Sequence, residues 1–243
     1  MDYFLQIYGS LPRAGPGSDE LTRKAFELIP NLPESPRILD VGCGPGMQTV
    51  ELLRRSAGTV VALDFLPEMI ERANAEAESA GVSDRLETTV QDMKAMAFPA
   101  SSFDVIWSEG AIYNLGFEAG LREFQKFVKP GGYVVVSEAV WLKPDPPSDV
   151  VEFWREYPEI DTVAAKLDVI ERIGYEVSGH FVFPASAWTD QYYDPMEERI
   201  ADKAKDWRGI PEAEAVLNEA RNEISIFRQY SEYFSYAFFV MGS

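Results

Sequence analysis

The hydrophobic positions change period repeatedly along the chain. Residues 19–29, DELTRKAFELI, place Leu21, Ala25, Phe26, Leu28 and Ile29 on one side of a helical projection behind the N-cap candidate Ser18. This predicts an amphipathic helix ended by Pro30 and Pro33. RILDVG then forms a short apolar run against a glycine cluster, followed by MQTVELLRRSAG with helical spacing and Gly58 as its stop. TVVALDF predicts the next strand. LPEMIERANAEAESAG predicts the next helix, with Pro67 near its start, Glu68 and Glu71 in its first turns and Gly81 at its end.

The alternation continues through LETTVQD (86–92), FDVIWSEG (103–110), a helix near 118–128, and YVVVSEAVW after the turn KPGG. Five strands alternating with helices predict an α/β fold on a parallel, doubly wound sheet. Beyond Trp141 the pattern loosens. KPDPPSD is a proline-rich loop, 161–173 a helix ending at Gly174, and EVSGHFVF a sixth strand. Residues 188–228 are charged, aromatic and mostly helical, and SYAFFVMG is a seventh strand.

Composition narrows the function classes. With 46% hydrophobic residues, 243 residues can bury one large core, so one main domain is expected. No apolar run reaches the roughly 18 residues of a membrane-crossing helix, and MDYFLQIYGSLPR lacks the pattern of a signal peptide, so a cytoplasmic protein without membrane insertion is expected. A single cysteine, Cys43, and a single histidine, His180, exclude an internal disulfide and argue against a metal site. The formal charge of −18 repels phosphate backbones, so nucleic acid is a poor partner. The acidic surface serves solubility or forms a mouth that attracts a cation.

The strongest chemical signal is ILDVGCGPG, residues 38–46, where a strand runs into Asp40, Gly42, Gly44 and Gly46 before a helix. Such a turn lets a ligand approach the backbone and meet the helix N-terminus. In a dinucleotide fingerprint the third glycine would fall at Met47, so the spacing weakens a nicotinamide reading. Asp64, 18 residues past Gly46 at a strand end, is placed to accept ribose hydroxyls, or else to serve as a helix N-terminal carboxylate. Asp92 repeats the arrangement after the third strand, with the same alternatives.

DVGCGPG, ALD, VQDM, FDVIWSEG and KPGGYVVVSEA together resemble the successive motifs of class I S-adenosylmethionine-dependent methyltransferases over residues 15–141. The chain is most similar to the small-molecule branch that includes ubiquinone and menaquinone biosynthesis methyltransferases. The resemblance implies a Rossmann-like sheet of seven strands, mostly parallel with an antiparallel last strand, plus a helical and aromatic cap. It divides the single domain into an N-terminal helical segment (1–35), a donor-binding core (36–141), an acceptor-side cap with the sixth strand (142–232) and a last strand (233–243). It places Gly42, Gly44 and Gly46 around the methionine part and ribose of the donor, behind Asp40. It places Asp64 with Phe65 on the ribose side, Asp92 with Met93 at the adenine and Ser108 at the neighbouring strand end. Gly15, Gly17 and Ser18 of the GPGS segment would close over the donor's amino-acid end; Ser18 also suits a plain N-cap. Within the loop, Cys43 suits a small filler better than a nucleophile.

Methyl transfer is an in-line displacement, so alignment of the acceptor can provide much of the acceleration. A base is needed only for a protonated or weakly nucleophilic acceptor. Glu109 and Tyr113 in WSEGAIYN are the best-placed candidates, with helix capping the alternative for Glu109; Glu138 lies at an equivalent strand end. His180 alternates within its strand and reads as structural. Trp141, Trp154, Trp188, Tyr192 and Tyr193 fall in the cap region, where they would pack a core or hold a substrate such as a cationic amine. The competing readings are a catalytically silent donor-binding protein and a nicotinamide-dependent oxidoreductase. Oligomeric state, monomer or homodimer, stays open.

Overall fold

Alternate residues of each central strand enter two different cores. In β1 (Arg37–Val41), Ile38 packs into a core shared with the helices of one sheet face, while Leu39 and Val41 join a second core on the other face. Strands buried on both faces read as continuous apolar runs, which is why these were legible. The computed structural model describes residues 3–243.

The other elements are α1 (Tyr3–Ile7), α2 (Asp19–Glu27), α3 (Met47–Arg55), β2 (Thr59–Asp64), α4 (Pro67–Ser79), β3 (Leu86–Val90), β4 (Phe103–Ser108), α5 (Phe117–Phe124), β5 (Val128–Trp141), α6 (Ser148–Phe153), β6 (Asp161–Thr162), α7 (Val163–Arg172), β7 (Glu176–Val182), α8 (Ser186–Trp188), α9 (Asp194–Asp206), α10 (Pro211–Tyr230) and β8 (Phe234–Gly242). The sheet order is β3-β2-β1-β4-β5-β8-β7, with β6 paired to the end of β5. β3, β2, β1, β4 and β5 run parallel, and β8 is antiparallel to both β5 and β7. The expected Rossmann-like sheet with an antiparallel last strand is therefore present.

Differences from the predicted elements are local. β6 adds an eighth, two-residue strand, both residues exposed and so without a burial pattern. β5 starts at Val128, because the predicted turn KPGG stays within the strand, with a register shift against β4. α5 stops at Phe124, where single-turn bonds such as Phe127 N–H to Phe124 O replace the helical ladder. Ser18 caps α2 as expected, its hydroxyl accepting from Leu21 N–H at 3.2 Å. No described helix is long and apolar enough to cross a membrane.

Candidate active site

Chain order reverses between β1 and β4, so the loops leaving their carboxyl ends part and open a crevice, the usual ligand position of such sheets. A cleft of about 700 Å³ lies there. It is lined by Gly42, Cys43 and Gly44, by Asp64 and Phe65, by Asp92 and Met93, and by Glu109, Gly110, Ala111, Tyr113 and Asn114. A strap of residues 13–16 crosses above, so that a Cβ on Gly44 would stand 3.4 Å from that of Ala14.

The glycine loop is held on every side. Gly42 and Cys43 N–H both donate to Leu63 O at 2.9 Å, and Gln48 Nε2 donates to Cys43 O at 2.8 Å. Gly44 N–H donates to Asp64 Oδ2 at 2.9 Å, while Asp64 Oδ1 accepts from Leu66 N–H at 3.0 Å. Asp64 thus fastens the loop to the start of α4, the expected helix N-terminal role, and also lines the cleft. Asp92 is exposed and caps the turn Met93–Ala95, accepting from Lys94 N–H at 2.8 Å. Phe65, 68% exposed, lines the same cleft as Met93.

Five expected donor-site residues stand behind the lining. A Cβ on Gly46 would lie 2.7 Å from Ala73 Cα, so Gly46 serves the close approach of α3 to α4. Ser108 is buried and donates to Val41 O at 3.0 Å, tying β4 to β1. Gly17 N–H donates to Ala187 O at 2.9 Å, and Ser18 is occupied as a cap. Asp40 is fully buried; Oδ2 accepts from Thr49 Oγ1 at 2.5 Å and Oδ1 has no partner. Burial pushes its carboxyl up to about 7 against the help of Thr49. A raised folded value means the folded chain keeps a proton that the unfolded chain releases, so stability from this group falls as pH rises from about 4 to about 7. Asp40→Asn should remove that loss: its midpoint should gain on the wild type between pH 5 and pH 8, whereas parallel pH curves would contradict it.

Glu109 is the anchor of the strap. Its Oε1 accepts from Thr22 Oγ1 at 2.7 Å and Trp107 Nε1 at 2.9 Å, and its Oε2 from Arg13 Nη1 at 3.3 Å. Burial pushes its carboxyl up; Arg13 opposes that. Arg13 also donates to Asp19 Oδ1 at 2.6 Å and Gln191 Oε1 at 3.2 Å. The carboxylate neither caps a following helix nor keeps an oxygen free of a donor. Tyr113, by contrast, is 46% exposed on the cleft wall.

A second cavity of about 230 Å³ adjoins the first across Ala14, Gly110, Tyr113, Tyr192 and Glu223, which line both. Glu138, Trp188, Trp154, Tyr157 and Tyr236 are among its other lining residues. Trp188 and Tyr192 were expected at the acceptor side. Tyr193 is buried one step behind, its hydroxyl donating to Glu223 at 3.2 Å. Trp141 lines neither cavity, and His180 is exposed on β7 against Phe239. Burial pushes the Cys43 thiol up, and its side chain is enclosed, as befits a filler. Among the described residues no three His, Cys, Asp or Glu side chains cluster to hold a metal.

Arg13, Tyr157, Glu223 and Tyr236 escaped the sequence reading. Glu223 left a signal: it stands three residues after Ala220 and four before Phe227, on the buried stripe of α10, where a carboxylate is out of place.

Residues 38–132 match a family described as a methyltransferase domain. The sterol 24-C-methyltransferase of Aspergillus fumigatus is 35% identical over 113 residues, 46% of this chain and 29% of that protein. The 2-methyl-6-phytyl-1,4-hydroquinone methyltransferase of Synechocystis is 32% identical over 129 residues, 53% of this chain and 39% of that protein. The chain thus spans less than half the length of these relatives. A solved S-adenosylmethionine-dependent methyltransferase from Geobacter sulfurreducens, in complex with S-adenosylhomocysteine, shares the fold at a TM-score of 0.86 and 19% identity, over 98% of this chain and 96% of that one.

Proposed function

Since residues 38–132 match the methyltransferase-domain family and the fold is shared with a solved S-adenosylmethionine-dependent methyltransferase, we propose that this chain transfers a methyl group from S-adenosylmethionine to a small-molecule acceptor. The observation that carries the reading is the charge of the cleft at the switch point. Asp64, Asp92, Glu109, Glu219 and Glu223 face it against Arg13 and Lys94 alone. Such a lining suits a donor with a sulfonium and an ammonium group. It repels the pyrophosphate of a nicotinamide dinucleotide, which disfavours the oxidoreductase reading.

The residues present fit that donor. The unoccupied lone pairs of Asp64 would accept the ribose hydroxyls, Phe65 and Met93 would flank the adenine, and Asp92 would accept from its amino group. Gly15 and its strap neighbours would cover the amino-acid end. When bound, S-adenosylmethionine supplies a methyl group on a positively charged sulfur, open to in-line displacement. Glu109, held by three donors, fixes the strap and therefore the cover of the cleft; its role is positioning. Tyr113, shared by both cavities, marks the passage that an acceptor group must reach.

A ligand that binds only the folded state raises the unfolding midpoint. At a hundredfold excess over Kd, S-adenosylhomocysteine should add about 2.7 kcal/mol, roughly 5–10 °C in a chain of this size, and NADH nothing. Asp64→Ala should lose most of the rise. Stabilisation by NADH with no response to either sulfur nucleoside would overturn the proposal, and donor binding without turnover on broad acceptor panels would favour the silent-binder reading.

A further inference from the structure

Aromatic side chains make up about half of the residues that line the second cavity, and its two carboxylates outnumber the one ammonium beside them. Trp188 and Tyr236 meet edge to face at 5.1 Å, Trp154 and Tyr157 at 6.5 Å, and Tyr113 approaches Tyr157 at 5.9 Å, so the rings brace one another into a box. Ring faces attract cations. Two carboxylates enter this box.

Glu138, on β5, is 2% exposed; its Oε1 accepts from Ala139 N–H at 3.0 Å, and its Oε2 has no partner although it is buried at the cavity wall. Glu223, on α10, accepts from the Tyr8 and Tyr193 hydroxyls, at 3.3 and 3.2 Å, and no described Lys, Arg or His comes within ion-pair distance of it. The cation near Glu138 is Lys166, 3.8 Å from Oε1, whose ammonium donates instead to Glu159 O at 2.7 Å and lies over the Phe117 ring. Two carboxylates against one ammonium leave a net charge of −1 around a small, ring-lined space. A monocation answers all three features: the rings, the unsatisfied oxygen and the charge. An uncharged acceptor answers the rings alone.

Resting on the methyl-transfer reading, we propose that the acceptor is an amine that enters this cavity as its ammonium cation, enclosed by Trp154, Tyr157, Trp188, Tyr192 and Tyr236, with Glu138 as counter-ion and proton acceptor. The N–H proton passes to Glu138 Oε2 and leaves the nitrogen lone pair free. That pair forms the N–C bond as the S–C pair stays on sulfur, so the positive charge moves from sulfonium to nitrogen. Burial pushes the Glu138 carboxyl up to about 7 against the pull of Lys166, with Tyr157, Tyr236 and Glu159 as its other polar neighbours, which suits proton uptake near neutrality. Glu223, at the junction of the two cavities, adds negative potential where the nitrogen meets the methyl group.

The test is calorimetric titration of the protein saturated with S-adenosylhomocysteine, using choline and its uncharged isostere 3,3-dimethylbutan-1-ol, and then smaller methylammonium ions. The ammonium probes should bind at least tenfold more tightly than the isostere, and Glu138→Gln should shrink that ratio below about threefold while the midpoint rise with S-adenosylhomocysteine persists. Equal affinity for the isostere, or no ammonium binding while S-adenosylhomocysteine still stabilises, overturns the amine inference alone. Loss of the S-adenosylhomocysteine response in the wild type overturns the reading beneath it.

Discussion

Arg13→Ala should lower the unfolding midpoint by roughly 6–20 °C, since breaking a buried ion pair from one side costs about 3–5 kcal/mol and each kcal/mol is worth about 2–4 °C at this size. The side chains of Arg13 and Glu109 are 5% and 7% exposed, so water does not screen what is left behind. Without the guanidinium, Glu109 retains only the neutral donors Thr22 and Trp107, and burial raises its carboxyl further. A folded value raised above the unfolded one means that the penalty appears as pH rises past the unfolded value, so the deficit should be larger at pH 8 than at pH 5. Arg13→Met with Glu109→Leu removes both charges and should recover most of the stability while still weakening donor binding, because the strap loses its ties to Asp19 and Gln191. A double variant as unstable as the single one would show that the arginine acts through packing alone.

That ion pair also marks where sequence reasoning ends. Arg13 meets Glu109 across 96 positions and Gln191 across 178, and nothing in the local pattern announces either contact. The glycine loop was legible because its chemistry is local: Gly42, Gly44 and Asp64 follow directly from strand ends whose burial on both faces makes them plain runs of apolar residues. The same logic explains what was lost. β6 has no buried residue to reveal it, and Ser108 and Gly46, which the family resemblance puts at the donor site, turn toward β1 and α4 instead. The acceptor side was half visible. Its aromatic residues crowd the cap region, yet the box needs β5, α6, the turn after it, α8, α10 and β8 at once, and only Glu223 betrays the arrangement by its place on an apolar stripe.

Gly42→Ala should weaken S-adenosylhomocysteine binding at least tenfold while the unliganded protein loses only a few degrees of midpoint. Two physical effects act at this position. Gly42 holds φ at +74°, where a side chain costs about 1–2 kcal/mol, and a Cβ there would stand 2.5 Å from Ala111 Cβ, well inside contact distance. Neither loop can give way freely. Gly42 N–H is bound to Leu63 O, and the facing turn is pinned by Gly110 N–H donating to Ser137 Oγ at 2.8 Å. The added methyl therefore wedges apart the two walls whose spacing defines the cleft, and a misplacement of about 1 Å in a positioning site is enough for large losses. Ala111→Gly removes the clash and leaves the backbone strain, so the pair Gly42→Ala with Ala111→Gly should regain most of the affinity but not all of the stability. Calorimetric titration of both variants separates the effects. If the second substitution restores nothing, the strained φ alone governs the loop and the facing wall plays no part in shaping the donor site; if it restores affinity, the distance between the loops after β1 and β4 is what the glycine protects.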